Sequence, residues 1–160
     1  MLVNEITKRT YLVLQHLAAT NRRLVTAESC TGGLLSSYLT DISGSSAVFD
    51  RGYITYSNQA KVDLLNVSRA LLETVGAVSS DVAEAMAVGA LSRCDAHVAI
   101  SITGIAGPKG DTLTKPIGLI YFGLAVIDHH VRHWKSTFSG DRHTIRNAAV
   151  VKALDILLEA

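Results

Sequence analysis

The sequence predicts a single-domain α/β fold in which a mixed β-sheet is flanked by helices. Segments with apolar residues at helical spacing alternate with short runs of β-branched and aromatic residues, the order typical of a layered α/β domain. The last three predicted strands follow one another without a helix between them, which indicates an antiparallel meander. A chain of 160 residues without a Pro/Ser-rich linker, a charge block or an internal repeat predicts one domain over residues 1–160.

The elements follow from local patterns. Ile6, Val13 and Leu17 recur at helical spacing and predict an opening helix. Residues 47–57 are rich in β-branched and aromatic side chains and predict an extended segment, open to a hairpin bent at Arg51-Gly52. Helices are predicted at 5–19, from Gly32-Gly33 onward, and at 59–65, 68–75 and 79–92, the last capped by Ser79 or Ser80. Strands are predicted at 23–27, 96–103, 117–128 and 132–138, and Asp141 is predicted to cap a final helix ending at Leu158.

Charge and composition narrow the class of partner. The 15 Lys and Arg residues nearly balance the 14 Asp and Glu residues, so the chain carries no electrostatic signature of nucleic-acid binding. The longest near-apolar run, 117–127, is too short for a membrane helix. The polar start of the chain and two distant cysteines predict the reducing cytoplasm. We therefore expect a small-molecule or protein partner, with neither nucleic acid nor membrane.

A serine and a lysine form the first candidate site. Ser46 ends a small-residue turn, and Lys61 follows in the next element, so the lysine could deprotonate the hydroxyl for attack on a carbonyl. Lys61 would have to be neutral, which requires burial or a cationic neighbour. The alternative is an ordinary turn and a solvated lysine. Tyr56 could orient a proton in this site, or it could belong to the core.

The second candidate site is the turn formed by residues 28–33 (ESCTGG), where a predicted strand ends and a helix begins. Backbone N–H groups of consecutive glycines and the partial positive charge of a helix N-terminus would stabilise a phosphate or carboxylate. Alternatively, Thr31 caps the helix while Gly32 and Gly33 allow close packing on the sheet. Cys30 in this turn is expected to be a buried apolar residue rather than a nucleophile.

A glycine-rich loop after a buried strand, residues 101–111 (SITGIAGPKGD), forms the third candidate site. Open α/β sheets bind ligands at such strand ends, where Thr103 would offer a hydroxyl. Two glycine-rich strand ends with a serine and lysine between them favour a shared crevice. The histidines of 128–133 (DHHVRH) predict a polar turn, since no cysteine or carboxylate set completes a metal site.

Six ordered motifs resemble the C-terminal domain family of the competence/damage-inducible protein CinA, which includes stand-alone nicotinamide mononucleotide amidohydrolases. They are 27–33 (AESCTGG), 44–46 (GSS), 52–61 (GYITYSNQAK), 103–108 (TGIAGP), 115–118 (KPIG) and 138–142 (FSGDR). The resemblance implies a cytoplasmic, homo-oligomeric enzyme, a dimer or higher. It also implies hydrolysis of nicotinamide mononucleotide to nicotinate mononucleotide and ammonia in pyridine nucleotide recycling, with no cofactor or metal.

The resemblance also implies roles for individual residues. Ser46 is similar to the family's nucleophile and Lys61 to its general base, with Tyr56 and Thr103 as supporting hydroxyls. The residues expected to bind the substrate are Ser29, Thr31, Gly32, Gly33, Gly104 and Arg142. For its phosphate, the turn of residues 29–33 is favoured over Arg142. The chain departs from the family pattern at Asp111, where members usually have a glycine. The alternative function is a catalytically silent nucleotide-binding or protein-interaction module.

Overall fold

The computed structural model describes residues 2–160, with side chains described from residue 4 onward. Helices and strands alternate as far as α3, after which two more helices precede three consecutive strands and a final helix. The order is α1 (Leu2–Ala19), β1 (Leu24–Glu28), α2 (Leu34–Thr40), a short 3₁₀ helix (Ser45–Ala47), β2 (Phe49–Ile54), α3 (Asn58–Leu65), α4 (Arg69–Val75), α5 (Ser80–Leu91), β3 (Val98–Gly104), β4 (Leu119–Val126), β5 (Arg132–Thr137) and α6 (Arg142–Leu158).

The five strands form one mixed sheet in the order β2-β1-β3-β4-β5. β1 pairs in parallel with β2 on one side and with β3 on the other. β4 pairs antiparallel with both β3 and β5, which confirms the predicted meander. The carboxyl ends of β1, β2 and β3 therefore lie at the same edge of the sheet.

Two hydrophobic cores cover the two faces of the sheet. The first joins α1, α2 and α6 to residues such as Leu24, Ile100 and Phe122. The second joins α3, α4 and α5 to the opposite face, where Val25 and Ala99 lie. Successive strand residues point to opposite faces, so near-continuous apolar strands are what a sheet covered on both sides requires. The predicted fold of a mixed sheet flanked by helices is confirmed.

Helix starts follow the predicted capping signals. The Ser79 hydroxyl accepts from the Val82 N–H at the start of α5. Asp141 Oδ1 accepts from the Thr144 N–H at 2.7 Å at the start of α6. Each cap satisfies a backbone donor that has no partner inside its helix.

The predicted hairpin at Arg51-Gly52 is wrong. Both residues lie inside β2, where they pair in parallel with Val25 and Thr26 of β1. A β-carbon at position 52 would lie 2.6 Å from Ser36 Oγ and 2.7 Å from Thr26 Oγ1, closer than real Cβ contacts. The glycine therefore marks a close approach of two hydroxyls to the strand and not a turn.

The helices and the histidines bear on two further expectations from the sequence, which concern membranes and metals. Over residues 2–160, no helix has both the length and the apolar character needed to cross a membrane. His129 and His130 are exposed in the connection between β4 and β5. In the same part of the chain, no three His, Cys, Asp or Glu side chains come together as metal ligands.

Candidate active site

A cleft of about 240 Å³ opens at the carboxyl ends of the three parallel strands. Each of these strands delivers part of it: Ser29 follows β1, Tyr56 follows β2, and Thr103 lies near the end of β3. The remaining lining residues come from the turn after β1, α3, the segment before α5, the end of β3 with the loop that follows it, and the start of α6: Cys30, Asn58, Lys61, Ala77, Val78, Gly104, Ile105, Ala106, Gly107, Lys109, Gly110 and Arg142. This is the position at which open α/β sheets bind ligands.

Lys61 is the most unusual side chain in the cleft, because it is a lysine with only 1% of its surface exposed. Its Nζ lies 3.0 Å from Ser29 Oγ, 2.8 Å from the Thr55 carbonyl oxygen and 3.3 Å from the Tyr56 carbonyl oxygen. A carbonyl oxygen can only accept a hydrogen bond, whereas a serine hydroxyl can also donate. A neutral Lys61 would therefore direct its two N–H groups to the carbonyls and its lone pair to Ser29.

Burial lowers the pKa of Lys61 to about 8, because the charged ammonium loses hydration inside the protein. No carboxylate contacts Nζ among the hydrogen bonds of the described residues, so no ion pair offsets that loss. A pKa near 8 leaves a useful fraction of the neutral amine close to neutral pH. The arrangement can thus deprotonate a serine hydroxyl.

Burial has the opposite consequence for Cys30, which also lines the cleft. It raises the pKa of the Cys30 thiol to about 12, because the thiolate would lose its hydration. The thiol therefore stays protonated, as expected for a cysteine that acts as a small apolar residue.

Ser46 does not lie beside Lys61, so the predicted contact between them is wrong. Ser46 is exposed in the short 3₁₀ helix before β2, whereas Lys61 follows the carboxyl end of β2. The six residues of β2 span about 20 Å at 3.3 Å per residue and separate the two ends of the sheet. The serine that contacts Lys61 is Ser29, whose predicted role is substrate binding.

The predicted phosphate cradle in the turn of residues 29–33 is already filled by Glu28. Its carboxylate is fully buried and accepts from the Gly33 N–H at 3.1 Å, the first of four bonds that it receives at the start of α2. Gly32 and Gly33 have φ angles of 58° and 92°, which explains why glycines stand there. The Thr31 side chain is fully buried, and the three residues Thr31, Gly32 and Gly33 do not line the cleft. These contacts argue against their predicted role in binding phosphate.

The other predicted residues do meet at the cleft. Thr103 is buried, and its hydroxyl donates to the Ala77 carbonyl oxygen at 2.9 Å. A β-carbon at Gly104 would lie 2.6 Å from the Leu119 carbonyl oxygen, so the strand end requires a glycine. The Tyr56 hydroxyl does not contact Lys61, and it accepts from the Arg142 guanidinium at 2.9 Å. Their parts in catalysis and binding stay predictions.

Two residues of the cleft were not predicted from the sequence. Lys109 and Asn58 line the cleft without having been singled out. Lys109 follows Gly107-Pro108 in the glycine-rich loop, and a cation in a loop at a strand end was a usable signal. Asp111 is exposed and is not among the residues that line the cleft.

The chain is similar to proteins of known family along nearly its whole length. The model of the CinA C-terminal domain matches residues 6–160. The nicotinamide-nucleotide amidohydrolase PncC of Enterobacter agglomerans is 52% identical over 132 residues, 82% of this chain and 80% of that protein. PncC of Escherichia coli K12 is 43% identical over 154 residues, 96% of this chain and 93% of that protein.

Longer relatives and solved structures agree with this match. A putative competence-damage inducible protein of Caldicellulosiruptor saccharolyticus is 51% identical over 91% of this chain, which spans only 35% of that relative's length. The crystal structure of the competence/damage inducible protein CihA from Agrobacterium tumefaciens has a TM-score of 0.94 at 42% identity, covering 98% of this chain and 96% of that one. The chain belongs to the CinA C-terminal domain family.

Proposed function

We propose that the protein is a nicotinamide-nucleotide amidohydrolase, which converts nicotinamide mononucleotide to nicotinate mononucleotide and ammonia. Two kinds of support converge on this activity. Relatives that match over most of their own length carry the name nicotinamide-nucleotide amidohydrolase PncC. The cleft holds a serine and a buried lysine in contact, which is a known way to activate a hydroxyl for attack on an amide.

The observation that carries the mechanism is the set of three contacts at Lys61 Nζ. With its two N–H groups held by the Thr55 and Tyr56 carbonyls, the neutral amine presents its lone pair to Ser29 Oγ at 3.0 Å. Lys61 takes the hydroxyl proton while Oγ attacks the carboxamide carbon. The geometry meets the usual distance for a general base in contact with its proton donor.

The tetrahedral intermediate then collapses toward the products. Its negative oxygen needs hydrogen-bond donors. We assign this role to the backbone N–H of Cys30, which follows Ser29 in the wall of the cleft. Lys61 returns its proton to the nitrogen, and ammonia leaves as the C–N bond breaks. Water attacks the resulting ester of Ser29 while Lys61 accepts the water proton. The ester C–O bond then breaks, and Lys61 passes that proton to Ser29 Oγ. Carboxylate and free serine are the products.

The substrate phosphate is assigned to Arg142 and Lys109 at the mouth of the cleft. Arg142 donates to the Gly107 carbonyl oxygen at 2.7 Å and to the Tyr56 hydroxyl at 2.9 Å. Two of its five N–H groups are used there, and the others are left for an anion. The second cation, Lys109, lines the same cleft.

Arg142→Ala is expected to raise KM for nicotinamide mononucleotide by about 10–100-fold with a smaller change in kcat, because a charged hydrogen bond to the phosphate contributes about 1.5–3 kcal/mol. Steady-state kinetics of ammonia release measures both constants. Arg93→Ala is the matched control, since Arg93 is exposed and follows the carboxyl end of α5, away from the cleft. An unchanged KM in Arg142→Ala would remove Arg142 from the phosphate site.

The purified protein is expected to release one ammonia for each nicotinate mononucleotide formed from nicotinamide mononucleotide. Coupled ammonia detection together with chromatography of the nucleotides checks this stoichiometry. Thermal stabilisation by the nucleotide without turnover would contradict the proposal and favour the silent binding module.

The family resemblance also supports the wider setting of this proposal. The enzyme would act in the cytoplasm on a small-molecule nucleotide, as part of pyridine nucleotide recycling. It would need no cofactor and would assemble as a homo-oligomer, a dimer or higher. Sedimentation of the purified protein measures the last of these expectations.

A further inference from the structure

A buried carboxylate stands directly before the serine of the proposed nucleophile. Glu28 ends β1, and none of its surface is exposed. Its Oε2 accepts from the backbone N–H groups of Gly33 and Leu35, each at 3.1 Å. Its Oε1 accepts from the N–H of Ser36 at 2.9 Å and from the Ser36 hydroxyl at 2.7 Å. A side chain with four such bonds is fixed in one geometry.

We propose that Glu28 is a positioning residue that holds Ser29 against Lys61 by anchoring the turn of residues 29–33. The inference rests on the proposed function, in which Ser29 is the nucleophile. Glu28 does not line the cleft, so its effect on the reaction passes through Ser29.

The backbone on both sides of Ser29 is tied to the same structure. The Ser29 N–H donates to the Ile102 carbonyl oxygen of β3 at 2.9 Å. The Glu28 carbonyl oxygen accepts from the Thr55 N–H at 2.8 Å, and the Thr55 carbonyl oxygen accepts from Lys61 Nζ. The backbone of Glu28 thus contacts the segment after β2 that positions Lys61. Its side chain contacts the turn that follows Ser29.

The Ser36 hydroxyl, which donates to Glu28, is itself held by the hydroxyl of Thr26. The Ser36 hydroxyl also lies 2.8 Å from Thr26 Oγ1, and Thr26 is fully buried. Gly52 leaves the room for this pair, because a β-carbon there would lie within 2.7 Å of both hydroxyl oxygens. The network from Gly52 through Ser36 to Glu28 therefore reaches the nucleophile from the edge strand.

Glu28→Gln is the sharpest variant, because it keeps the shape of the side chain and removes the charge. An amide has one oxygen that accepts, and its nitrogen would face N–H or O–H donors, so two of the four bonds are lost. We expect kcat to fall by about 100-fold while KM changes less than about threefold, the pattern of a nucleophile displaced by about 1 Å. Steady-state kinetics on nicotinamide mononucleotide measures both.

A second readout follows Ser29 itself. Covalent labelling by a fluorophosphonate probe at Ser29, followed by mass spectrometry, is expected to slow in parallel with kcat. Ser36→Ala and Gly52→Ala disturb the same network without changing Glu28 or a cleft residue, and each is expected to lower both rates by about 3–10-fold, less than Glu28→Gln. Val150→Ala is the control, since it removes buried methyl groups from α6 without touching the network.

The outcomes separate this inference from the proposed function. If the wild-type protein labels at Ser29 but does not hydrolyse the nucleotide, the function fails, and the labelling rates still test Glu28. If folded Glu28→Gln keeps wild-type kcat and labelling, the inference is overturned. If Glu28→Gln does not fold, unchanged rates in both Ser36→Ala and Gly52→Ala overturn it. A fall in kcat equal to that of Val150→Ala at matched stability would also overturn it.

Discussion

Ser29→Ala is expected to abolish hydrolysis of nicotinamide mononucleotide, with kcat reduced by about 10⁴-fold or more, as when a hydrolase loses its nucleophile. The reason is chemical, because no other hydroxyl contacts the Nζ of Lys61 among the described residues. Cys30 cannot replace it, since burial raises the pKa of its thiol to about 12. Ammonia release under saturating nucleotide measures the loss.

Ser46→Ala separates the two serines and is the control for that experiment. Ser46 is exposed and lies before β2, at the opposite end of the strand from Lys61. Its variant is expected to keep kcat within about threefold of wild type, the range of surface substitutions that leave a site intact. An active Ser29→Ala together with an inactive Ser46→Ala would reverse the assignment.

The fold was predictable because its signals are local. Ser79 and Asp141 cap helices through side-chain contacts to residues three positions away, which a sequence displays directly. The strands β3 and β4 are buried on both faces, and their near-continuous runs of apolar residues predict this burial. Gly52 misled the prediction because its cause is not local. Its close neighbours, Ser36 and Thr26, are distant in sequence and approach it only when β1, α2 and β2 are assembled.

The site was predictable in its parts but not in its pairing. Lys61, Thr103 and Arg142 reach the cleft, as expected for residues at or beyond the carboxyl ends of strands in an α/β sheet. The choice of Ser46 over Ser29 ignored the direction of the strands, because Ser46 precedes its strand and Ser29 follows one. The carboxyl ends of parallel strands share one edge of the sheet, and open α/β sheets bind their ligands at that edge. That rule, applied to the sequence, would have favoured Ser29.

The phosphate cradle shows a second limit of local reasoning. Glycines before a helix do expose backbone donors, but Glu28 stands close enough in sequence to occupy them. A carboxylate just before such a turn is a competitor for any external anion. A glutamate immediately before a glycine turn is therefore a sequence signal that the N–H groups at the helix start have an acceptor within the protein.

Lys61→Met is expected to lower kcat by about 10³-fold, because loss of a general base costs about 10²–10⁴-fold. Methionine keeps most of the buried volume, so loss of the amine is the main change. In the wild-type enzyme, kcat/KM is expected to rise with pH and level off above about 8, the value to which burial lowers the pKa of Lys61. Lys8→Met is the control, since Lys8 is exposed on α1. A pH profile that is flat between 6 and 9 would contradict a titrating Lys61.

The same pKa makes an equilibrium prediction that does not depend on activity. Burial lowers the pKa of Lys61 from 10.5 to about 8, so between these two pH values the unfolded chain binds more protons than the folded one. The free energy of unfolding of the wild type, relative to Lys61→Met, therefore rises with pH across this window. Below pH 8 the cost of burying the ammonium is fully present, and above 10.5 it is gone. Urea unfolding of both proteins at pH 7 and pH 10 measures the difference, in which the other titrating groups largely cancel. If the free energy of unfolding of the wild type relative to Lys61→Met stays constant or falls between pH 7 and pH 10, the pKa of Lys61 is not lowered by burial. Lys61 could then not act as a neutral base near physiological pH.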